Sequence, residues 1–375
     1  MTLKVLMLQN SIPAQLLVKF RRELKGEAKI DLDLAPQLKV IFERLVLQKK
    51  QAEDKKNNQQ KRYDFFSLFG RRQTSFADLA TLGDYWLAGA IKQELIQPLK
   101  VEQIEEWENL PQRWQELVKY DQNGQLDQNN GQVWGAPYRW GSTVIAYRRD
   151  KLEPLGLIPT DWQDLWRDEL RDRLSLLDQP REVIGLTLKK LGESYNTEDL
   201  SKIPKLKEEL QALHRQVKFY SSDTYLQPLL LGDTWAAVGW STDILPIMQR
   251  DHRIKAVIPK SGTALWADIW VKPAAIAGGD NGETKGEPTL AEQWINFCSK
   301  EKQALEISLL SDAISPILLK YKSADRNKLP KSIINNPLLL PDEAILNNSE
   351  FIKPLPETVA QSYQELWEEI RLGKS

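Results

Sequence analysis

The feature that most limits the fold is the repeated order of a short apolar run followed by an amphipathic segment. Leu3 to Leu8 reads as a buried strand, Pro13 to Leu24 as an amphipathic helix, Ile30 to Leu34 as a strand, and Pro36 to Lys50 as a second helix. "FADLATLG" then gives a strand and "DYWLAGAIKQ" a helix, with Asp84 suited to the N-cap or first turn. Strand-then-helix repetition argues for an open α/β sheet. Ligands of such sheets lie beyond the strand carboxyl ends, which puts Asp84 and Tyr85 at the ligand crevice.

The 375 residues are enough for two domains of ordinary size. Between the second helix and the third strand, residues 48–72 are charged and poor in pattern, and read as an excursion or insertion. Its aromatic cluster, Phe65, Phe66 and Phe69 flanked by arginines, offers a docking alternative to a plain solvated segment.

Several function classes are disfavoured at this stage. With 51 Lys+Arg against 52 Asp+Glu, the formal net charge of -1 gives no support to nucleic acid as a partner. Two histidines, His214 and His252, and the single Cys298 do not make the common zinc patterns or an internal disulfide, and no metal or cofactor is expected. Cys298 lies among apolar residues at helical spacing and reads as a core thiol. The opening "MTLKVLMLQNSIPAQLL" lacks a basic n-region and a small-residue cleavage site, so no export signal is read there. No run reaches the roughly 18 apolar residues of a membrane span, and the chain is expected to be soluble.

The second half supplies the polar residues that need a reason. In "VWGAPYRWGSTVIAYRRDKL", Gly135 and Pro137 break an extended run and Thr143 to Tyr147 alternate as a strand, which suits a chain leaving one lobe for another. In "TDWQDLW", Thr160 is the expected N-cap, with Trp162 and Trp166 on one helical face as core. "LSLLDQPREVIGLTLKKLG" reads as a strand, a turn at Asp178 to Pro180 and a helix. It delivers Glu182 to the first turn, as a helix-start acid or a ligand contact. "WAAVGWSTDILPIMQR" repeats the device, with the strand ending at Trp240. "TALWADIW" sets Ala264, Trp266, Asp268 and Trp270 on one strand face, an acid between two indoles. An unpartnered carboxylate there would be costly, so Asp268 asks for a cation. Late in the chain, residues 278–288 form a glycine-rich loop without a phosphate-binding motif, and "TLAE", Thr289 to Glu292, spells a capping box before the helix that carries Cys298.

The ordered set "ADLATLGDYWLAGAIKQELIQPL", "GAPYRWGSTVIAYRRDKL", "TDWQDLW", "LSLLDQPREVIGLTLKKLG", "AAVGWSTD", "IPKSGTALWADIWVKPAAIA" and "AEQWINFCSKEKQALEISLLSDAISP" resembles the extracellular solute-binding proteins of ABC importers, within them the spermidine/putrescine-binding branch. The resemblance implies an α/β, two-lobe periplasmic-binding-protein fold, each lobe a mixed sheet flanked by helices, with the ligand cleft between the lobes. It implies lobe 1 at 1–138 plus 268–314 and lobe 2 at 143–262 plus 318–375, with crossings near 139–142, 263–267 and 315–317. By the same resemblance Trp266, Asp268, Trp240, Glu182 and Tyr85 fall on cleft positions. The family's first-strand aromatic pair is replaced by Leu8 to Ser11, the acid after Asp178 is Gln179, and a tyrosine position falls near Ala313, beside Asp312. The expected ligand set is therefore Trp266, Asp268, Trp240, Glu182, Tyr85, Asp84, Gln179, Ser11 and Asp312.

These residues suit an amine: an ammonium over an indole gains roughly 0.5–2 kcal/mol, and an acid beside it supplies the counter-charge. The expected function is capture of a polyamine or related organic cation for ABC permease subunits in the membrane, by a monomer in the periplasm or at the cell surface. A neutral or anionic solute held with help from Arg139 and Arg181 is the alternative, Arg139 reading otherwise as a surface or interlobe salt bridge. A glycosidase using two carboxylates is a third reading.

Overall fold

The computed structural model describes residues 2–25, 29–58, 76–274, 287–321 and 327–373. The chain divides into two compact units, the first Met1–Arg139 with Ala267–Lys322, the second Trp140–Trp266 with Ser323–Ser375. The chain passes from one unit to the other within two long strands, Ala136–Arg148 and Ala264–Pro273.

In the first unit, the strand Thr2–Leu8 lies between Lys29–Ala35 and Leu79–Gly83, parallel to both. The helices Ala14–Glu23 and Leu38–Asn58 make the returns that parallel pairing requires. Residues 267–273 close the sheet antiparallel to Leu79–Gly83, with Asp268 opposite Gly83 and Trp270 opposite Thr81. That register sets Asp268 beside the first residue of the helix Asp84–Lys92. The core is aromatic. Tyr138 stacks on Trp270 with centroids 4.4 Å apart, Trp270 meets Trp294 edge-on at 6.1 Å, and Trp294 meets Phe20 at 5.0 Å. Trp270 is thus a core residue, although it shares a strand face with Asp268. Cys298 is buried in the helix Leu290–Ser299, and burial pushes its thiol well above the usual value, as befits a core thiol. Thr289 and Glu292 form the capping box read from "TLAE".

In the second unit, the strand residues 140–148 pair antiparallel with Ala236–Trp240 and with Ile254–Val257. Ala236–Trp240 runs parallel to Leu174–Leu176, which runs parallel to Val217–Tyr220. The helix Pro180–Lys190 follows Leu174–Leu176 and packs with the helices Leu206–His214 and Glu357–Leu372. The register opposes Trp240 to Thr143. This pairing brings together two segments that the sequence separates widely.

Four expectations change. The strand expected over Thr143 to Tyr147 starts at Ala136 and is buried at every position, so Pro137 sits inside it rather than breaking it. Thr160 is not the N-cap. Asp161 takes that place, its carboxylate accepting from Trp162 N–H at 2.8 Å, and Asp164 answers by accepting from Asp161 N–H at 3.1 Å, over a 3-10 helix Trp162–Trp166. The helix expected to end at Lys50 continues to Asn58, through the first part of the segment read as patternless. The remainder of that segment, including Phe65, Phe66 and Phe69, and most of the glycine-rich loop lie outside the described residues.

Candidate functional site

Two of the expected residues, Glu182 and Trp240, meet in the second unit. Glu182 occupies the first turn of Pro180–Lys190, where the helix N-terminus favours a carboxylate, yet the side chain is only 5% exposed. The Thr143 hydroxyl donates to Glu182, 3.1 Å from each carboxylate oxygen, and the Trp240 indole N–H donates to Oε1 at 3.4 Å. The Thr143–Trp240 strand pairing fixes both donors. Burial pushes the carboxyl from 4.5 up to about 7 against those two hydrogen bonds and the weaker pull of Arg181. The group is balanced between its neutral and charged forms at physiological pH.

Trp240 is half-buried. Its backbone N–H donates to the Tyr225 hydroxyl at 3.1 Å, and that hydroxyl donates to Asp243 Oδ2 at 2.9 Å. Trp266 is also half-buried, and its ring lies against Gly141. A Cβ at position 141 would meet Trp266 Cζ2 at 2.4 Å and Ser241 Oγ at 2.5 Å, so glycine is what admits the indole there. Gln179 is the half-buried N-cap residue of the Glu182 helix. Its carbonyl accepts from Val183 N–H at 3.1 Å, while its side chain makes no capping bond.

In the first unit, Asp84 and Asp268 are neighbours. Asp84 opens its helix after Gly83, is 9% exposed, and its Oδ1 accepts from Ala267 N–H at 3.1 Å. Burial pushes its carboxyl from 3.8 up to about 7, with Asp268 adding repulsion and the backbone N–H groups opposing. Asp268 is 1% exposed, and its carboxylate is already matched. Arg139 Nε donates to Asp268 Oδ2 at 2.6 Å, and Arg139 Nη1 donates to the Ser311 carbonyl at 3.0 Å. Burial moves the Asp268 carboxyl upward while the guanidinium works against that shift.

This arrangement bears on two sequence-level readings. Asp268 does not stand without a cation, because Arg139 of the same unit bonds its Oδ2. Arg139 is neither a surface bridge nor one between lobes, because it pairs with a residue of its own unit at full burial. Arg181 is likewise committed: it donates to the carbonyls of Lys353 and Tyr195 and to Asn196 Oδ1, and its guanidinium lies 5.0 Å from the Tyr363 ring centre. Both arginines of the anion-binding alternative are therefore occupied by partners from this chain.

Three further residues have different settings. Ser11 is fully buried and its hydroxyl donates to the Leu8 carbonyl at 2.8 Å. Tyr85 is 62% exposed, its ring edge-on to Trp86. Asp312 is half-buried and holds a left-handed backbone, φ 53°. Sequence reasoning missed Thr143 as the partner of Glu182 and Gly141 as the seat of Trp266. Among the described residues no group of His, Cys, Asp and Glu could hold a metal ion, and no helix is long and apolar enough to cross a membrane.

Comparison with known proteins gives consistent matches. Residues 74–349 match the family described as bacterial extracellular solute-binding protein. The chain is 27% identical over 319 residues to the spermidine/putrescine-binding periplasmic protein of Salmonella typhimurium, covering 82% of this chain and 84% of that one. It is 27% identical over 265 residues to a putrescine/cadaverine-binding protein of Pseudomonas aeruginosa, covering 66% and 70%. Its fold is similar to that of the spermidine/putrescine ABC transporter substrate-binding protein PotD of Streptococcus pneumoniae, solved with calcium and HEPES. The TM-score is 0.77 at 20% identity over 100% of this chain and 99% of the other.

Proposed function

From the premise that this chain belongs to the bacterial extracellular solute-binding proteins, we propose that it captures a polyamine or related organic cation. Solute-binding proteins of ABC importers take up small molecules and deliver them to membrane permeases, and the family is one of binders rather than enzymes. The observation that carries the amine reading is Glu182: a buried carboxyl, bonded to the indole of half-buried Trp240 and to Thr143, with no lysine or arginine among the described residues forming an ion pair with it. An arriving ammonium would find the counter-charge and the aromatic wall together. Trp266, seated on Gly141, supplies a second ring for ligand methylenes, and Gln179 is proposed at the margin. The names of the relatives, which specify spermidine, putrescine and cadaverine, support the same ligand class.

In this reading the chain works as a monomer outside the cytoplasmic membrane. Calorimetric titration with putrescine, cadaverine and spermidine is the direct test. Saturable heat with one of them is expected, and Glu182→Gln should weaken it by about tenfold or more, as for a buried charge pair that loses one member. No heat with any of the three would defeat the reading.

A further inference from the structure

The place of the Glu182 carboxyl depends on how its helix begins. The N-cap residue, Gln179, makes no side-chain capping bond and Pro180 follows it, so the first turn lacks the local support that Ser, Thr, Asp or Asn would supply. Its support comes instead from residues far along the chain. On one side, Arg371 Nη1 pairs with Asp178 Oδ1 at 2.6 Å, one residue ahead of the cap. On the other, Arg181 donates to the Lys353 carbonyl at 2.9 Å, and its guanidinium lies 5.0 Å from the centre of the Tyr363 ring. At the far end of the helix, Lys189 pairs with Glu350 at 2.7 Å. Residues 350–371 thus meet the Glu182 helix before its start, in its first turn and in its last, and all of these residues belong to the second unit.

We propose that Arg371 is a positioning residue for amine capture: from the last helix, Glu357–Leu372, it holds the turn at Asp178 and so keeps Glu182 in register with Thr143 and Trp240. This rests on the amine-binding reading and adds to it the residue that aims the counter-charge. Thr143 and Trp240 are carried by strands and Glu182 by a helix, so their hydrogen bonds at 3.1 and 3.4 Å last only while helix and strands keep their distance. The bond from Trp240 is already long, and a small shift of the first turn breaks it. Arg371 is itself firmly placed. Its guanidinium lies 4.0 Å from the Tyr220 ring centre and 5.2 Å from that of Trp367, and those two rings meet edge-on at 5.4 Å. The Tyr220 hydroxyl is in turn hydrogen-bonded with His214 Nδ1 at 3.1 Å. Position 371 also lies in the last turn of its helix, where the helix dipole favours a cation. A counter-charge held in place before the ligand arrives spares the binding step the cost of ordering it.

The test compares two ion pairs of the last helix by calorimetry with putrescine, cadaverine and spermidine on the full chain. The Arg371–Asp178 side chains are 30% and 47% exposed; those of Lys207–Glu369, which ties the same helix to Leu206–His214 and not to the turn, are 49% and 31% exposed. Arg371→Gln should weaken amine binding about fivefold, the scale of one partly exposed ion pair. Charge alone predicts the opposite sign, because removing a cation favours a cationic ligand. Glu369→Gln should leave the affinity within about twofold of the wild type, and Arg371→Lys, which keeps a cation for Asp178, should recover most of the loss. In the ligand-free chain, hydrogen exchange at the Val183 N–H, which donates to the Gln179 carbonyl, should quicken in Arg371→Gln and not in Glu369→Gln. Affinity unchanged or raised in Arg371→Gln, an equal loss in Glu369→Gln, or unaltered exchange at Val183 would each overturn the inference. If Arg371→Gln does not fold, Asp178→Asn read by the same exchange decides. Silence of the wild type toward all three amines would remove the amine reading itself, whereas any of those outcomes in a chain that binds amine would remove only this inference.

Discussion

Replacing Glu182 with glutamine should change how the stability of the second unit depends on pH. In the folded chain burial raises this carboxyl from 4.5 to about 7, so the folded state holds the proton more tightly than the unfolded state does. For a carboxyl shifted in that direction, the stabilisation is complete below 4.5 and is lost as pH rises through about 7. At about 1.4 kcal/mol per pH unit, the interval between those two values corresponds to about 3 kcal/mol. Glutamine does not titrate, and therefore loses nothing over that interval. Its amide oxygen can still accept from Thr143 and Trp240, while its new N–H groups add a pH-independent cost of about 1–3 kcal/mol if they lack acceptors. That cost sets the offset between the proteins, and the titration sets the slope.

The assay is thermal unfolding of ligand-free wild type and Glu182→Gln between about pH 5 and pH 8. Asp84, which also titrates near 7, is common to both proteins and cancels in the difference. The melting temperature of the variant minus that of the wild type should rise across the range. For a unit of this size roughly 2–4 °C accompanies each kcal/mol, so the rise should be about 6–12 °C. A difference that stays constant across the range would refute the claim that Glu182 titrates from a buried, unpaired setting.

Three further perturbations follow from the same geometry. Asp268→Asn leaves the buried Arg139 guanidinium without its counter-charge, and should cost about 3–5 kcal/mol in denaturant unfolding; a loss below about 1 kcal/mol would put the pair at the value of a surface bridge. Gly141→Ala forces Trp266 and Ser241 aside, since the new Cβ would sit 2.4 Å from the ring, and amine affinity measured by calorimetry should fall about tenfold. Unchanged affinity in that variant would remove Trp266 from the ligand contacts. Thr289→Ala deletes one half of the capping box on Leu290–Ser299 and should lower stability in denaturant by about 1 kcal/mol, with no effect on amine binding.

The fold and the site differ in how much of each the sequence discloses, because they depend on interactions of different range. Strand-then-helix order, the capping box at Thr289 and the helix-start position of Glu182 follow from neighbours a few residues apart, and all are present in the structure. Pro137 misled as a breaker because local propensity yields to burial on both faces, and Thr160 misled because Asp161 competes for the same cap with a stronger acceptor. The site depends on partners far apart in the chain. Glu182 is 39 residues from Thr143 and 58 from Trp240, and Asp268 is 129 residues from Arg139. "LWAD" therefore looks the same in sequence whether its acid awaits a ligand or is already neutralised. The signal that could have separated these cases lies in "APYRWGSTVIAY", where one arginine sits in a strand buried at every position. A guanidinium in such a run requires a buried carboxylate, and its partner is then sought among the acids of other buried strands. Asp268 is the acid borne on the strand Ala264–Pro273, whereas Asp84 and Glu182 stand in the first turns of helices, whose N-termini favour a carboxylate. Reading Arg139 first would thus have found for Asp268 the cation that the chain itself supplies.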